Sequence, residues 1–350
     1  MRAAIFIMTA FAVLSVGAIA QNGQPNPDSS TFDPDGTAHI TREVPMPATV
    51  SPEAQQWLKQ IEHESPQPHD LAEQRRGTDA WRKFDSAEAL KKFPVNVTET
   101  TTAGVRTDII EPLETPAANK NKVLINLHGG GFITDSGSLI EGIPIANLAK
   151  IKVVSVYYRL APENPFPAAV DDVIAVYKEL LKTHKPHDIG IFGTSAGAIL
   201  TAEVAVKLKQ LRLPLPAALG FFSGLADFSR TSDSQQLFAL NGFSGSIAPQ
   251  NPNGGHDESY VGKTDRRDPV LSPLFADLRG FPPTLLVTGT RDMLLSNTAV
   301  FHLALLRAGV DARLLAYEAM PHAFWYHFSF PETQECLQAM ARFFVDEVEN

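Results

Sequence analysis

Ile189-Gly190-Ile191-Phe192-Gly193-Thr194-Ser195-Ala196-Gly197 is the stretch on which the reading of this chain turns. A short apolar run, 189–192, leads into Gly-x-Ser-x-Gly. A Pro-free, alanine-rich segment of helical type, Ala198–Lys209, follows it. Strand, sharp turn and helix in that order are the setting in which the pentapeptide forms a nucleophile elbow. Such a turn strains the serine backbone, and glycine on either side leaves room where side chains would collide. The Ser195 hydroxyl is then left alone above the sheet edge, over the first turn of a helix. Taken alone the pentapeptide is a weak signal, because Gly, Ser and Ala are common in loops. The surrounding chain decides.

Outward from the elbow, strands and helices alternate. Val95–Thr100 and Val105–Ile110 flank Ala103-Gly104 and read as a hairpin with a polar face. Then come the strand Val123–Leu127, the strand Val153–Tyr157, the helix Ala168–Thr183, the elbow, and the strand Ala218–Phe222. The strand Thr284–Val287, the helix Ser296–Ala308, the strand Ala312–Tyr317 and the helix Pro331–Val348 complete the series. Apolar strands alternating with helices predict an α/β fold, a mostly parallel sheet covered on both faces. The leading hairpin brings the expected count to about eight strands. The segment 225–262 interrupts the pattern at the C-terminal end of a strand, the end at which open α/β sheets bind ligands. Together with helical pieces over 51–94 it is expected to form a mainly helical cap on a catalytic domain spanning 95–350. In the first of those pieces Ser51 is the expected N-cap and Pro52 the first helical residue. The others are expected over Leu71–Trp81 and Ala87–Phe93.

Ser195 needs a base, a group to orient that base, and donors for an oxyanion. Each is available at a strand end. His128-Gly129-Gly130-Gly131 follows Val123–Leu127. Its glycines let the backbone approach a ligand, so the N–H groups of Gly130 and Gly131, with that of Ala196, are the candidate oxyanion hole. Asp292 follows Thr284–Val287 and can hold an imidazole in one tautomer, although by itself it reads equally well as a helix N-cap. His322 follows the last strand and is the candidate general base. The order Ser195, Asp292, His322 is that of the α/β-hydrolase triad.

With these residues in place, the chain resembles the hormone-sensitive-lipase family of α/β-hydrolases, the bacterial family IV esterases. Further signposts of that family are Tyr158-Arg159-Leu160-Ala161-Pro162-Glu163, Pro165-Phe166-Pro167-Ala168-Ala169, Asp171-Asp172, Asp268-Pro269 and Ser272-Pro273. The resemblance implies an eight-stranded sheet, a cap built from the N-terminal helices and the later insertion, and hydrolysis of carboxylic esters. There are three departures. Thr194 stands where the family usually places an acid, Ala198 stands where a further Gly is usual, and Asp292-Met293-Leu294-Leu295-Ser296 lacks the second carboxylate often found after the triad acid.

The expected reaction is acyl transfer to water through a Ser195 acyl-enzyme, with no cofactor and no metal. Lactone or amide hydrolysis on the same triad, and ligand binding without catalysis, remain alternatives. Trp57, Trp81, Phe84, Phe238 and Phe243 are candidate walls of an apolar pocket for short to medium acyl chains, or else glue between cap and core. Gly242–Gly255 is a candidate mobile lid.

Composition bounds the rest. With 350 residues, 44% hydrophobic and 20% charged, the chain can bury a sizeable core. A net charge of -9 and the absence of any basic run argue against a nucleic-acid partner. The single cysteine, Cys336, excludes an internal disulfide and reads as a small core residue. His63 and His69 have no partner at metal-ligand spacing. Arg2, the apolar run Ala3–Val16 and Ala18-Ile19-Ala20 have the parts of a secretory signal, with cleavage expected before Gln21. An uncleaved anchor is the rival reading. Residues 21–50, rich in Pro, Asn, Asp and Ser, are expected to be a flexible tether.

Overall fold

In a computed structural model, residues 28–61, 70–245 and 256–348 are described. The expected signal segment 1–20, His63, His69 and most of the expected lid (246–255) lie outside them. The chain divides into two units, Met1–Met46 and Pro47–Asn350. In the described part of the first unit, within the segment expected to be a flexible tether, β1 (Ser29–Phe32) pairs antiparallel with β2 (Ala38–Thr41). The turn is Asp33-Pro34-Asp35-Gly36, with Gly36 at φ +92° and its N–H donating to Asp33 O at 2.9 Å. Asp, Pro and Gly each favour that turn, and the polar composition of the segment masked the signal. All eight strand residues are exposed.

The second unit opens with α1 (Pro52–Gln60), capped as expected by Ser51, whose hydroxyl accepts the Ala54 N–H at 3.1 Å. The two helices expected next are a single one, α2 (Leu71–Lys92), because no Pro or capping turn interrupts the segment. The hairpin β3 (Val95–Thr102) and β4 (Val105–Pro112) turns at Ala103 and Gly104, both at positive φ as a two-residue hairpin turn requires. Then follow β5 (Val123–Leu127), α3 (Ser138–Ala149), β6 (Lys152–Val156), α4 (Ala168–Leu180), β7 (Ile189–Thr194), α5 (Ala196–Gln210) and β8 (Ala218–Phe222). The chain ends with α6 (Asp233–Leu237), α7 (His256–Val261), β9 (Thr284–Gly289), α8 (Leu295–Arg307), β10 (Ala312–Tyr317) and α9 (Pro331–Glu347).

The eight strands of this unit run β10-β9-β8-β7-β5-β6-β4-β3 across one sheet. β5 to β10 pair parallel among themselves, and β4 meets β6 antiparallel. Every residue of β5, β7, β8 and β9 is buried, as expected where helices cover both faces of a parallel sheet. The chain passes from β5 to β6 on one side and returns to β7 on the other. That reversal opens a crevice at the carboxyl ends of β5 and β7, which are the strands carrying the triple glycine and the elbow.

One helix had no announcement in the sequence pattern. α3 contains Pro144, and nine of its twelve residues are buried. A helix that is apolar all round lacks the amphipathic period by which surface helices are recognised. Cys336 is buried in α9, in keeping with a core role.

Candidate active site

The elbow is built as its sequence requires. Ser195 has φ 58° and ψ -120°, a conformation that residues with side chains rarely adopt. Its N–H donates to Phe222 O at 2.9 Å, which fixes the turn to the end of β8. A Cβ at Gly193 would lie 2.4 Å from Leu127 O, and one at Gly197 would lie 1.8 Å from it. Two strands and a helix start therefore converge too closely for any side chain but hydrogen. Ser195 itself keeps partial exposure.

The triple glycine stands beside it. A Cβ on Gly129 would come within 3.3 Å of Ser195 Cβ. Gly130 and Gly131 have φ +107° and +60°, so the loop curls around Gly130, whose carbonyl accepts the N–H of Ile133 at 3.1 Å and of Thr134 at 3.0 Å. The N–H of Ala196 is at the first position of α5, where no helical carbonyl is available to it. His128 is buried behind the loop. The Tyr158 ring stacks on it at 4.1 Å, and the Tyr158 hydroxyl donates to His128 O at 2.6 Å.

Asp292 and His322 meet at the next strand ends. His322 Nδ1 lies 3.0 Å from Asp292 Oδ1. Asp292 is wholly buried, and four donors surround its carboxylate. Besides His322 these are Leu294 N–H at 2.9 Å, the Thr288 hydroxyl at 3.0 Å and the Ser223 hydroxyl. Burial alone would raise this carboxyl. The charge of His322, its hydrogen bond and those of Ser223 and Leu294 outweigh burial and hold it below the usual carboxylate range. Ser223 Oγ also lies 2.7 Å from His322 Nδ1, so the imidazole N–H faces two acceptors. Ser223, at the end of β8 and at φ 55°, was not singled out by the sequence. Its position directly after a buried strand was the available signal. Among the described residues, no hydrogen bond joins Ser195 to His322. Apo sites often tighten this contact only when substrate is bound.

Helices α1 and α2 pack on the segment that follows His322. The Trp57 ring packs on His327 at 4.7 Å and on Phe330 at 4.8 Å, and Trp81 lies 6.2 Å from Tyr326. These contacts are those of glue between cap and loop. Phe238 and Phe243 pair at 5.4 Å, and the Arg291 guanidinium lies 4.7 Å from the Phe243 ring. A Cβ at Gly242 would come within 3.6 Å of both Arg291 and Pro321, so the insertion flanks the loops that carry Asp292 and His322. Phe84, expected in a pocket wall, is 67% exposed. Ser244 Oγ donates to Ile61 O at 2.7 Å, tying the insertion to the chain just after α1.

Two arginines of α2 reach the chain around and after the triple glycine. Arg75 donates to Ile133 O and Ala161 O, both at 2.8 Å, and to both oxygens of Glu163. Arg82 donates to Asp135 at 2.8 Å. Burial would raise the Asp135 carboxyl, but His128, Arg82 and Ser138 overcome that and hold it low. The departures from the family pattern also find their places. Ser296 exchanges hydrogen bonds with Ser234 of α6 (3.0 and 3.2 Å), and Ala198 is buried in α5.

The described residues contain no helix long and apolar enough to cross a membrane, and no cluster of three or more potential metal ligands.

Comparison with known proteins agrees with this architecture. Residues 124–326 match the alpha/beta hydrolase fold family. An esterase of Acinetobacter venetianus is 32% identical over 248 residues, covering 69% of this chain and 79% of the relative. An acetyl-hydrolase of Streptomyces hygroscopicus is 31% identical over 238 residues, 65% of this chain and 77% of the relative. The crystal structure of esterase E25 superposes with a TM-score of 0.77 at 32% identity, covering 88% of this chain and 97% of that one. An esterase from the bacterial hormone-sensitive lipase family superposes with a TM-score of 0.70 at 27% identity over 85% of this chain and 99% of the other. Fold, strand-end geometry and likeness converge: the chain belongs to the α/β-hydrolase fold family, in its hormone-sensitive-lipase branch.

Proposed function

We propose that the protein is a serine carboxylesterase acting on short- to medium-chain acyl esters through an acyl-enzyme. The observation that carries this reading is the contact between His322 and Asp292 at strand ends beside a strained Ser195 elbow. His322 takes the Ser195 proton as Oγ attacks the ester carbonyl. The carbonyl oxygen gains the negative charge, and the N–H groups of Gly130, Gly131 and Ala196 hold it. Collapse expels the alcohol, which takes its proton from His322. Water, deprotonated by the same imidazole, then attacks the acyl-enzyme and releases the acid and Ser195. Asp292 keeps Nδ1 protonated and stabilises the imidazolium. The relatives named esterase and acetyl-hydrolase support the ester class and a short acyl group.

Hydrolysis of p-nitrophenyl acetate, butyrate and longer esters by wild type and Ser195→Ala tests the proposal. A drop of at least ~10³-fold in kcat is expected for the variant, since the nucleophile is gone. Equal rates would refute the assignment, and faster turnover of a lactone or an anilide would move the substrate class. We further propose export after cleavage before Gln21. Mass spectrometry of the mature N-terminus checks it, and a chain still beginning at Met1 contradicts it.

A further inference from the structure

Position 194, where the family pattern calls for an acid, is wholly buried, and its hydroxyl has two partners. Thr194 Oγ1 donates to Glu141 Oε1 at 2.5 Å and accepts the indole N–H of Trp325 at 3.0 Å. Glu141 belongs to α3, and its other oxygen accepts Asn126 Nδ2 of β5 at 3.0 Å. Trp325 lies three residues beyond His322, on the short 3-10 turn Phe324–Tyr326. Its ring is wholly buried, edge-on to Phe222 at 6.2 Å and to Phe324 at 5.2 Å, so the indole has one orientation available. Asn126, Glu141, Thr194 and Trp325 thus form one chain of hydrogen bonds. It runs from the strand under the oxyanion loop, through the residue bonded to Ser195, to the loop that carries His322.

We propose that Glu141, acting through Thr194 and Trp325, is a positioning residue that sets the separation of Ser195 and His322, a carboxyl from α3 doing the work of the acid absent from the elbow. The inference rests on Ser195 and His322 being nucleophile and base. Two features decide between positioning and a direct electrostatic effect. Burial pushes the Glu141 carboxyl up to about 8, so the group is largely uncharged at neutral pH and exerts little field on the imidazole. And the link to His322 runs through a rigid buried ring and three residues of backbone, which transmit place rather than charge. A shift of a fraction of an ångström between nucleophile and base is enough to slow the proton transfer severely, as a 1 Å misplacement costs on the order of 100-fold.

The test compares Thr194→Val, which keeps the volume and removes the hydroxyl, with Thr194→Ser, which restores it, and with Trp325→Phe, which removes the indole N–H. Thr284→Val is the control: its hydroxyl is as deeply buried, but it bonds Pro282 O at the start of β9. Each variant is assayed on p-nitrophenyl butyrate and unfolded in urea. Thr194→Val is expected to lose about tenfold or more in kcat with KM within about twofold, Thr194→Ser to recover most of it, and Thr284→Val to keep the wild-type kcat. If Thr194→Val keeps a kcat like that of Thr284→Val, or if Ser fails to rescue it, the inference is overturned. If Thr194→Val does not fold, Trp325→Phe decides, since it keeps a buried ring and removes the N–H that Thr194 accepts: a loss of about threefold or more in kcat at constant KM supports the proposal, and a wild-type kcat ends it. An inactive wild type, or a fully active Ser195→Ala, would instead overturn the reading of the site itself.

Discussion

Replacing Ser223 by alanine probes the least expected part of the site. The hydroxyl is one of four donors to a carboxylate that no solvent reaches, and it lies 2.7 Å from the imidazole nitrogen. A hydrogen bond to a buried charged group contributes about 1.5–3 kcal/mol. For a chain of this length the entropy of unfolding makes that a fall of about 3 °C in Tm. Catalysis suffers separately. Without Ser223, Oδ2 of Asp292 keeps only Thr288, the carboxylate plane loosens, and the imidazolium formed during proton transfer is held less well. A loss of about 1.4 kcal/mol there is a tenfold fall in kcat/KM. Ser223→Gly separates the two contributions to stability. It removes the same hydroxyl but relieves a side chain held at φ 55°, which itself costs roughly 1–2 kcal/mol. Glycine should therefore be the more stable variant and yet no more active than alanine. Differential scanning fluorimetry and ester kinetics on the three proteins give both numbers. If Ser223→Ala keeps Tm within about 1 °C and kcat/KM within about twofold, the fourth donor does nothing and the reasoning fails.

Three further outcomes follow from the same geometry. Gly197→Ala would place a Cβ 1.8 Å from Leu127 O, a contact that no rotamer relieves, so the soluble yield should collapse, as a gel of the soluble fraction will show. Arg75→Ala removes two bonds to loop carbonyls and the pair with Glu163, so amide hydrogen exchange over 71–92 and 130–136 should accelerate by about tenfold or more. Glu141 is a carboxyl raised in the folded state, from 4.5 to about 8, so the fold binds its proton more tightly than the unfolded chain does. Its contribution is present in full below pH ~4.5 and is lost as pH rises towards 8, a difference on the order of 5 kcal/mol. Glu141→Gln should flatten the decline of urea stability between pH 6.5 and 8. His327, pushed down to about 4 by burial, works in the opposite sense: its contribution is present above pH ~6.5 and is lost as pH falls through 4, so above 6.5 it adds no slope, and the buried Glu203 carboxyl, also raised, declines alike in both proteins.

How much of this was legible beforehand differs by residue. The strands and the elbow could be read because their signals are local: a buried parallel strand is a short apolar run, and a turn this tight tolerates only glycine at Gly193 and Gly197. The positions of Asp292 and His322 could be read because chain order and strand ends are one-dimensional facts. α3 could not, since a helix buried on every side has no period to detect and contains a proline. Glu141 was hidden with it, and so was the explanation of Thr194.

The sequence by itself determined the sheet, the order of the site residues along the chain and the class of chemistry those residues can support. Only the tertiary structure decided which donors surround Asp292, that Trp57 and Trp81 pack against the histidine loop, and that a carboxyl 53 residues away meets the hydroxyl of Thr194. The physical reason is that backbone conformation follows from neighbours in sequence. Hydrogen-bond partners in a dry interior are instead set by which side chains the packed elements bring within about 3 Å, and no spacing along the chain encodes that distance.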